Sequence, residues 1–161
     1  MRPFGAGVPA LVLAACILTM VPARSGSFPH LVVARFPGGD ELARLRLAAE
    51  PEQESGFSLS FIHSVSKTRV TDVYTARPGG IVQTSERFRA HGAGLPSHPD
   101  EPGGLSWEKQ GDEFILHMER PIPRLVVRTD QNYENRLILG KTTLNLNQWE
   151  DQALLIYIDA D

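Results

Sequence analysis

The chain has 161 residues, with 16 Lys and Arg against 19 Asp and Glu, five His, one Cys and 42% hydrophobic residues. A net charge of −3 offers no electrostatic footprint for nucleic acid or for an anionic membrane surface. A single cysteine excludes a disulfide framework, so the body must hold together by its core.

Arg2 is followed by an uncharged run from Phe4 to Val21. Val21-Pro22-Ala23 places small residues where a signal peptidase reads them, which predicts cleavage after Ala23. Leu13-Ala14-Ala15-Cys16 also fits a lipoprotein box with Cys16 acylated, and the run is long enough to stay as an N-terminal membrane anchor. All three readings put residues 24–161 in the periplasm or on the outer face of a bacterial inner membrane. Losing residues 1–23 removes Arg2 and no acid, so the charge moves from −3 to −4. A body of this size suits one β-domain with one core.

Period-two alternation dominates that body, punctuated by Gly and Pro, and no amphipathic helix of three turns stands out. Strands are predicted at Leu31–Arg35, Arg44–Ala48, Phe57–Val65, Val70–Ala76, Ile81–Ala90, Phe114–Glu119, Leu125–Thr129, Leu137–Leu139, Thr142–Leu146 and Ala153–Ile158. Asp40–Ala49 also fits a turn or two of helix. His98–Gly104 reads as a polar loop. The fold class is all-β and antiparallel, built from meanders and hairpins, as a sandwich or a partly open barrel.

Hand-pairing the central strands gives a testable geometry. In Phe57–Val65 the apolar positions are Phe57, Leu59, Phe61 and Val65, so His63 shares their face and Ser64 points away. Closing the next hairpin at Ser66–Arg69 sets His63 opposite Asp72 and Phe61 opposite Tyr74. A three-residue turn at Pro78-Gly79-Gly80 then sets Ala76 opposite Val82 and Asp72 opposite Glu86. A two-residue turn would turn Glu86 to the other face. The expected result is a row His63–Asp72–Glu86 among Phe61, Tyr74 and Phe88.

Such a row has several uses. It can be a buried polar brace, with Asp72 accepting from His63 and Glu86 met by an Arg or by backbone groups. It can bind, because adjacent carboxylates repel unless a proton or cation lies between them. His63, Asp72 and Glu86 are then candidate ligands for a divalent metal, although no HxH, HExxH or calcium loop accompanies them. A basic side chain from a partner, or an amine, would neutralise the same row. No cofactor is otherwise implied. A hydrolase using His63 and Asp72 lacks a placed nucleophile, so the chain is expected not to be an enzyme. In Gly92-Ala93-Gly94-Leu95-Pro96, Gly92 and Gly94 permit positive φ and Pro96 fixes the exit, which makes either a tight corner or a backbone nest for a carboxylate. His117 is expected on the solvent side. Arg120, Arg124, Arg128 and Arg136 read as a solvated face from which one could reach the acids.

Ile62-His63-Ser64-Val65 and His91-Gly92-Ala93-Gly94-Leu95-Pro96 together resemble the signature of exported bacterial proteins catalogued as domain of unknown function 1850 (DUF1850). The resemblance runs from about Phe57 to Gly104, and more loosely over Arg136 to Ile158. Asp72 and Glu86 stand where that pattern has acids, whereas Arg69 stands where many relatives have proline. The family carries no established activity. Its members are often encoded beside the fused permease of TAXI-type tripartite (TRAP) transporters, which take up organic acids. The resemblance therefore implies a non-enzymatic transport accessory whose partner is the TRAP permease or the TAXI solute-binding protein. The alternative is a free periplasmic domain binding a small organic acid or a divalent metal.

Overall fold

A computed structural model describes residues 29–47, 55–77, 79–90, 94–96 and 100–159. The expected leader, with Cys16, and the glycine Gly92 lie outside them. Eleven strands are described: β1 (His30–Arg35), β2 (Glu41–Arg46), β3 (Ser55–Ile62), β4 (Arg69–Arg77), β5 (Gly80–Phe88), β6 (Gly104–Gln110), β7 (Glu113–Ile122), β8 (Leu125–Arg128), β9 (Arg136–Leu139), β10 (Thr142–Asn145) and β11 (Ala153–Asp159). The helical content among the described residues is two 3-10 turns, Gln131–Tyr133 and Leu146–Gln148.

The strands form two antiparallel sheets, one ordered β2-β1-β11-β8 and the other β10-β9-β3-β4-β5-β7-β6. They pack as a sandwich, which resolves the choice between sandwich and barrel. Alternation sets what each strand buries. Leu31, Val33, Leu154 and Ile156 of the smaller sheet meet Phe57, Leu59, Tyr74, Ile81 and Leu137 of the larger in one apolar cluster. Phe57 and Tyr74 stack there with ring centroids 5.2 Å apart.

Two elements differ from the sequence reading, one in extent and one in kind. The strand expected at Arg44–Ala48 forms, in place of the helical alternative, but spans Glu41–Arg46. Gly104–Gln110 is strand β6, although nothing in its polar composition announced it. A bulge at Leu105, between pairs Gly104–Met118 and Ser106–His117, leaves Leu105 exposed.

Candidate functional site

The hairpin of β3 and β4 decides which side chains meet. His63 donates its backbone N–H to the Thr68 carbonyl at 2.8 Å, and Lys67 donates back to the His63 carbonyl at 3.0 Å. The loop therefore spans Ser64 to Lys67, two residues earlier than the expected Ser66–Arg69. Lys67 takes a left-handed conformation with φ 55°. The shift changes every partner but keeps every face, because it moves each pairing by an even number of residues. Leu59, not His63, faces Asp72, and Phe57, not Phe61, faces Tyr74; Phe61 faces Val70.

His63 consequently leaves the expected row. It lies four residues beyond Leu59, roughly 13 Å along the strand direction at about 3.3 Å per residue. Its Nδ1 accepts from the backbone N–H of Ser66 at 3.1 Å and of Val65 at 3.3 Å. That is a side-chain cap on the hairpin turn, made by a buried imidazole. Val65, read as a core-facing strand residue, is 64% exposed at the turn.

The other half of the row forms, by a different route. Arg77 pairs with Gly80 and Ala76 with Ile81, so the connection is one residue shorter than expected and Ala76 does not face Val82. Such a turn alone would turn Glu86 to the wrong face. A bulge in β5 at Thr84, between Gln83 and Ser85, restores the missing residue and brings Glu86 opposite Asp72. The Thr84 hydroxyl anchors the bulge by donating to the Val73 carbonyl at 3.3 Å. Below the bulge, Gln83 shares the face of Tyr74 and pairs across to Arg120 on β7.

Asp72 and Glu86 thus stand side by side, with Tyr74, Gln83, Arg120 and Glu101 around them. The Asp72 carboxylate accepts from the Gln83 amide at 3.2 Å and from the Tyr74 hydroxyl at 3.4 Å. Arg120 reaches the Gln83 amide oxygen at 3.4 Å, so one amide separates the guanidinium from the carboxylate. The rest of Arg120 is held by the Pro102 carbonyl at 2.7 Å and by Glu101 at 3.9 Å. Gly103 allows that approach, since a Cβ there would lie 2.8 Å from the Glu119 carbonyl. Neither Asp72 nor Glu86 makes an ion pair within the described residues.

Electrostatics follow from this imbalance. Burial pushes Asp72 up to about 6, against the Tyr74 hydroxyl, the Arg120 charge and the Gln83 amide, which pull it down. Glu86 rises to about 7, through burial first and then the charges of Asp72 and Glu101, opposed by Arg120. Burial and the neighbouring Asp72 also push the Tyr74 phenol above its usual range. The pair therefore gives up its protons later than ordinary carboxyls do, through about 6 and about 7, as crowded like charges do.

As a metal site the row is incomplete: among the described residues, no three His, Cys, Asp or Glu side chains converge to hold an ion. Gly94 has positive φ, +87°, and Pro96 is buried, which fits a corner. A nest needs Gly92, outside the described residues. His117 is half-exposed against Glu108 at 3.2 Å, as its position in the alternation predicts.

Sequence reasoning missed Gln83 and Glu101 and named Arg120 only as one of four scattered arginines. Gln83 joins the site only through the Thr84 bulge, which no residue pattern signals. Arg120 needs the pairing of β5 with β7, across the whole segment between Phe88 and Glu113.

The family model described as Domain of unknown function (DUF1850) matches residues 57–146, more than half of the chain. No curated protein and no solved structure matches it.

Proposed function

Starting from a chain that belongs to the DUF1850 family, we propose that it is an exported, non-enzymatic accessory of a TAXI-type tripartite transporter. It works in the periplasm or on the outer face of the inner membrane, docking on the permease or on the solute-binding protein. The observation that carries this reading is the outer face of the smaller sheet. Val126 and Tyr157 are 38% and 36% exposed there, with half-buried Leu155 paired to Val126. Strand β8 pairs only with β11 among the described strands, so its other edge is open beside this apolar surface. Exposed apolar residues on a sheet with an open edge suit a protein partner. The capping role of His63 supports a non-enzymatic reading, because its Nδ1 is spent on the turn backbone rather than on a serine.

The test is a C-terminal tag in the native host, mild detergent extraction and mass spectrometry of what co-elutes. A stoichiometric permease or solute-binding protein, lost in a Val126→Lys/Tyr157→Lys variant, supports the docking role. Elution alone from the soluble fraction sinks it. That outcome would favour the second reading, a free ligand-binding domain, for which the specific observation is the uncompensated Asp72–Glu86 pair.

A further inference from the structure

Beside Asp72 the two sheets part to leave a pocket of about 170 Å³ between β3 and β4 on one side and β8 on the other. Its walls are Leu59 and Phe61, Leu125 and Val127, Leu146 and the buried Asn135, whose amide oxygen accepts from the Asp130 N–H at 3.0 Å and from Asn147 at 3.1 Å. Ser60 and Val126 border it too, and Arg136 stands at its rim. The Arg136 guanidinium is engaged by the Asn135 carbonyl at 3.0 Å, by Asn145 at 2.6 Å and by Asn147 at 3.2 Å. At the inner end the Asp72 carboxylate faces a mostly apolar chamber, with the Tyr74 hydroxyl beside it and Glu86 behind it.

Charge and size select the occupant. Asp72, Glu86 and Glu101 gather around one guanidinium, and Arg120 reaches Asp72 only through the Gln83 amide. Asp72 accepts two long hydrogen bonds from neutral groups, which leaves its oxygens with unused acceptor capacity. An anion reaching the inner end of the pocket would meet the Asp72 carboxylate, while the Arg136 guanidinium at the rim is already engaged by three oxygen acceptors. A cation would be matched in charge, and its hydrocarbon stem would be matched by the walls. The volume holds roughly six waters at about 30 Å³ each, room for a four-carbon stem and a head group but not for a sugar or nucleotide.

We propose that the pocket between β3, β4 and β8 binds a single ammonium or guanidinium group on a short apolar stem, with its head on Asp72 and its stem against Leu59, Leu125 and Val127. The same chemistry is carried by a free alkylamine and by a lysine or arginine side chain of a partner. The inference goes beyond the transporter reading and stands or falls without it, since it concerns a property of the chain alone.

The test is calorimetric titration of the full chain with n-butylguanidinium chloride, against n-butanol and sodium chloride as controls. Saturable one-to-one binding with a Kd of about 1 mM is expected for a ligand of this size. Asp72→Asn should weaken it by about tenfold or more through loss of the charged partner. Val127→Phe, which fills the apolar wall and leaves the carboxylate in place, should weaken it as well. Nα-acetylarginine N-methylamide distinguishes the sources. Binding as tight as that of n-butylguanidinium assigns the pocket to a polypeptide side chain; binding by the free cation alone assigns it to a small amine. No saturation with either probe, or an affinity unchanged in both folded variants, overturns the proposal.

Discussion

Under the smaller sheet, the inner face of β9 and β3 is hydrocarbon: Leu137, Leu59 and Phe57 lie against Leu31, Val33, Leu154 and Ile156. Farther across the same sheet, β5 and β7 bury Phe88, Leu116 and Met118 as completely. Phe88 there packs on Phe114 and Trp107, with ring centroids 5.7 and 5.5 Å apart. The apolar cluster shared with the smaller sheet includes no residue of β6 and, on β7, only Ile122. Asp72, Glu86, Gln83 and Arg120 occupy the boundary between these two regions. Hydrocarbon can close on itself in both, but the seam between them is where carboxylates find neither full solvation nor a full complement of partners. The polar cluster is thus a consequence of a seven-stranded sheet facing a four-stranded one.

The largest expected effect comes from moving that seam. Deleting Thr84 removes the bulge and turns Glu86 and the fully buried Phe88 to the opposite face. A loss of about 3–5 kcal/mol in urea unfolding is expected, the scale of removing a buried aromatic side chain. A variant of unchanged stability would show that the bulge does not set the facing of β5.

Gln83→Ala cuts the amide between Arg120 and Asp72. It should cost about 1–3 kcal/mol, because it leaves a partly buried carboxylate with one fewer donor. The Asp72 titration, followed by carboxyl NMR, should move upward at the same time. An unmoved titration would mean that the amide does not report the guanidinium to the acid.

The pair also makes stability depend on pH. Both carboxyls are raised in the folded state, so the folded chain keeps protons that the unfolded chain releases. The contribution is present below the ordinary carboxyl range, near 4, and fades as pH rises through about 6 and about 7, the values for Asp72 and Glu86. The charged or titratable groups facing the pair are Tyr74, Arg120 and Glu101. Glu86→Gln should be more stable than the parent at pH 8, by about 1–2 kcal/mol after allowance for partial exposure, and equal to it at pH 4. Equal stability at both would remove Glu86 from the seam's electrostatics. The smallest effect is expected of His63→Ala, which takes away a turn cap at about 1 kcal/mol. It should leave the Glu86 titration where it was, and a shifted titration would return His63 to the acidic row.

The covered half was the more legible in the sequence. Its strands read off alternation, as in Phe57, Leu59 and Phe61, because burial on one face imposes period two. The seam was half legible. Asp72 and Glu86 could be placed together because face depends only on parity, and the pairing of Asp72 with Glu86 survived two compensating errors, a turn one residue shorter and a bulge one residue longer. His63 could not be placed, because a turn that captures an imidazole with backbone N–H groups looks the same in sequence as a strand that continues through Ser64 and Val65. Gln83 and Arg120 depend on long-range registry, and β6 ends in the polar run Glu108-Lys109-Gln110, which carries no alternation.

The bulge at Leu105 bears on crowding as well as on pairing. It interrupts β6, the outermost strand of the larger sheet, just where a second copy could add a strand. Exposed Glu108 and Lys109 follow it. Strand β10 closes the opposite end of that sheet with only four residues. Copies gathered at high local density would therefore find no long, flat rim along which to polymerise through the larger sheet.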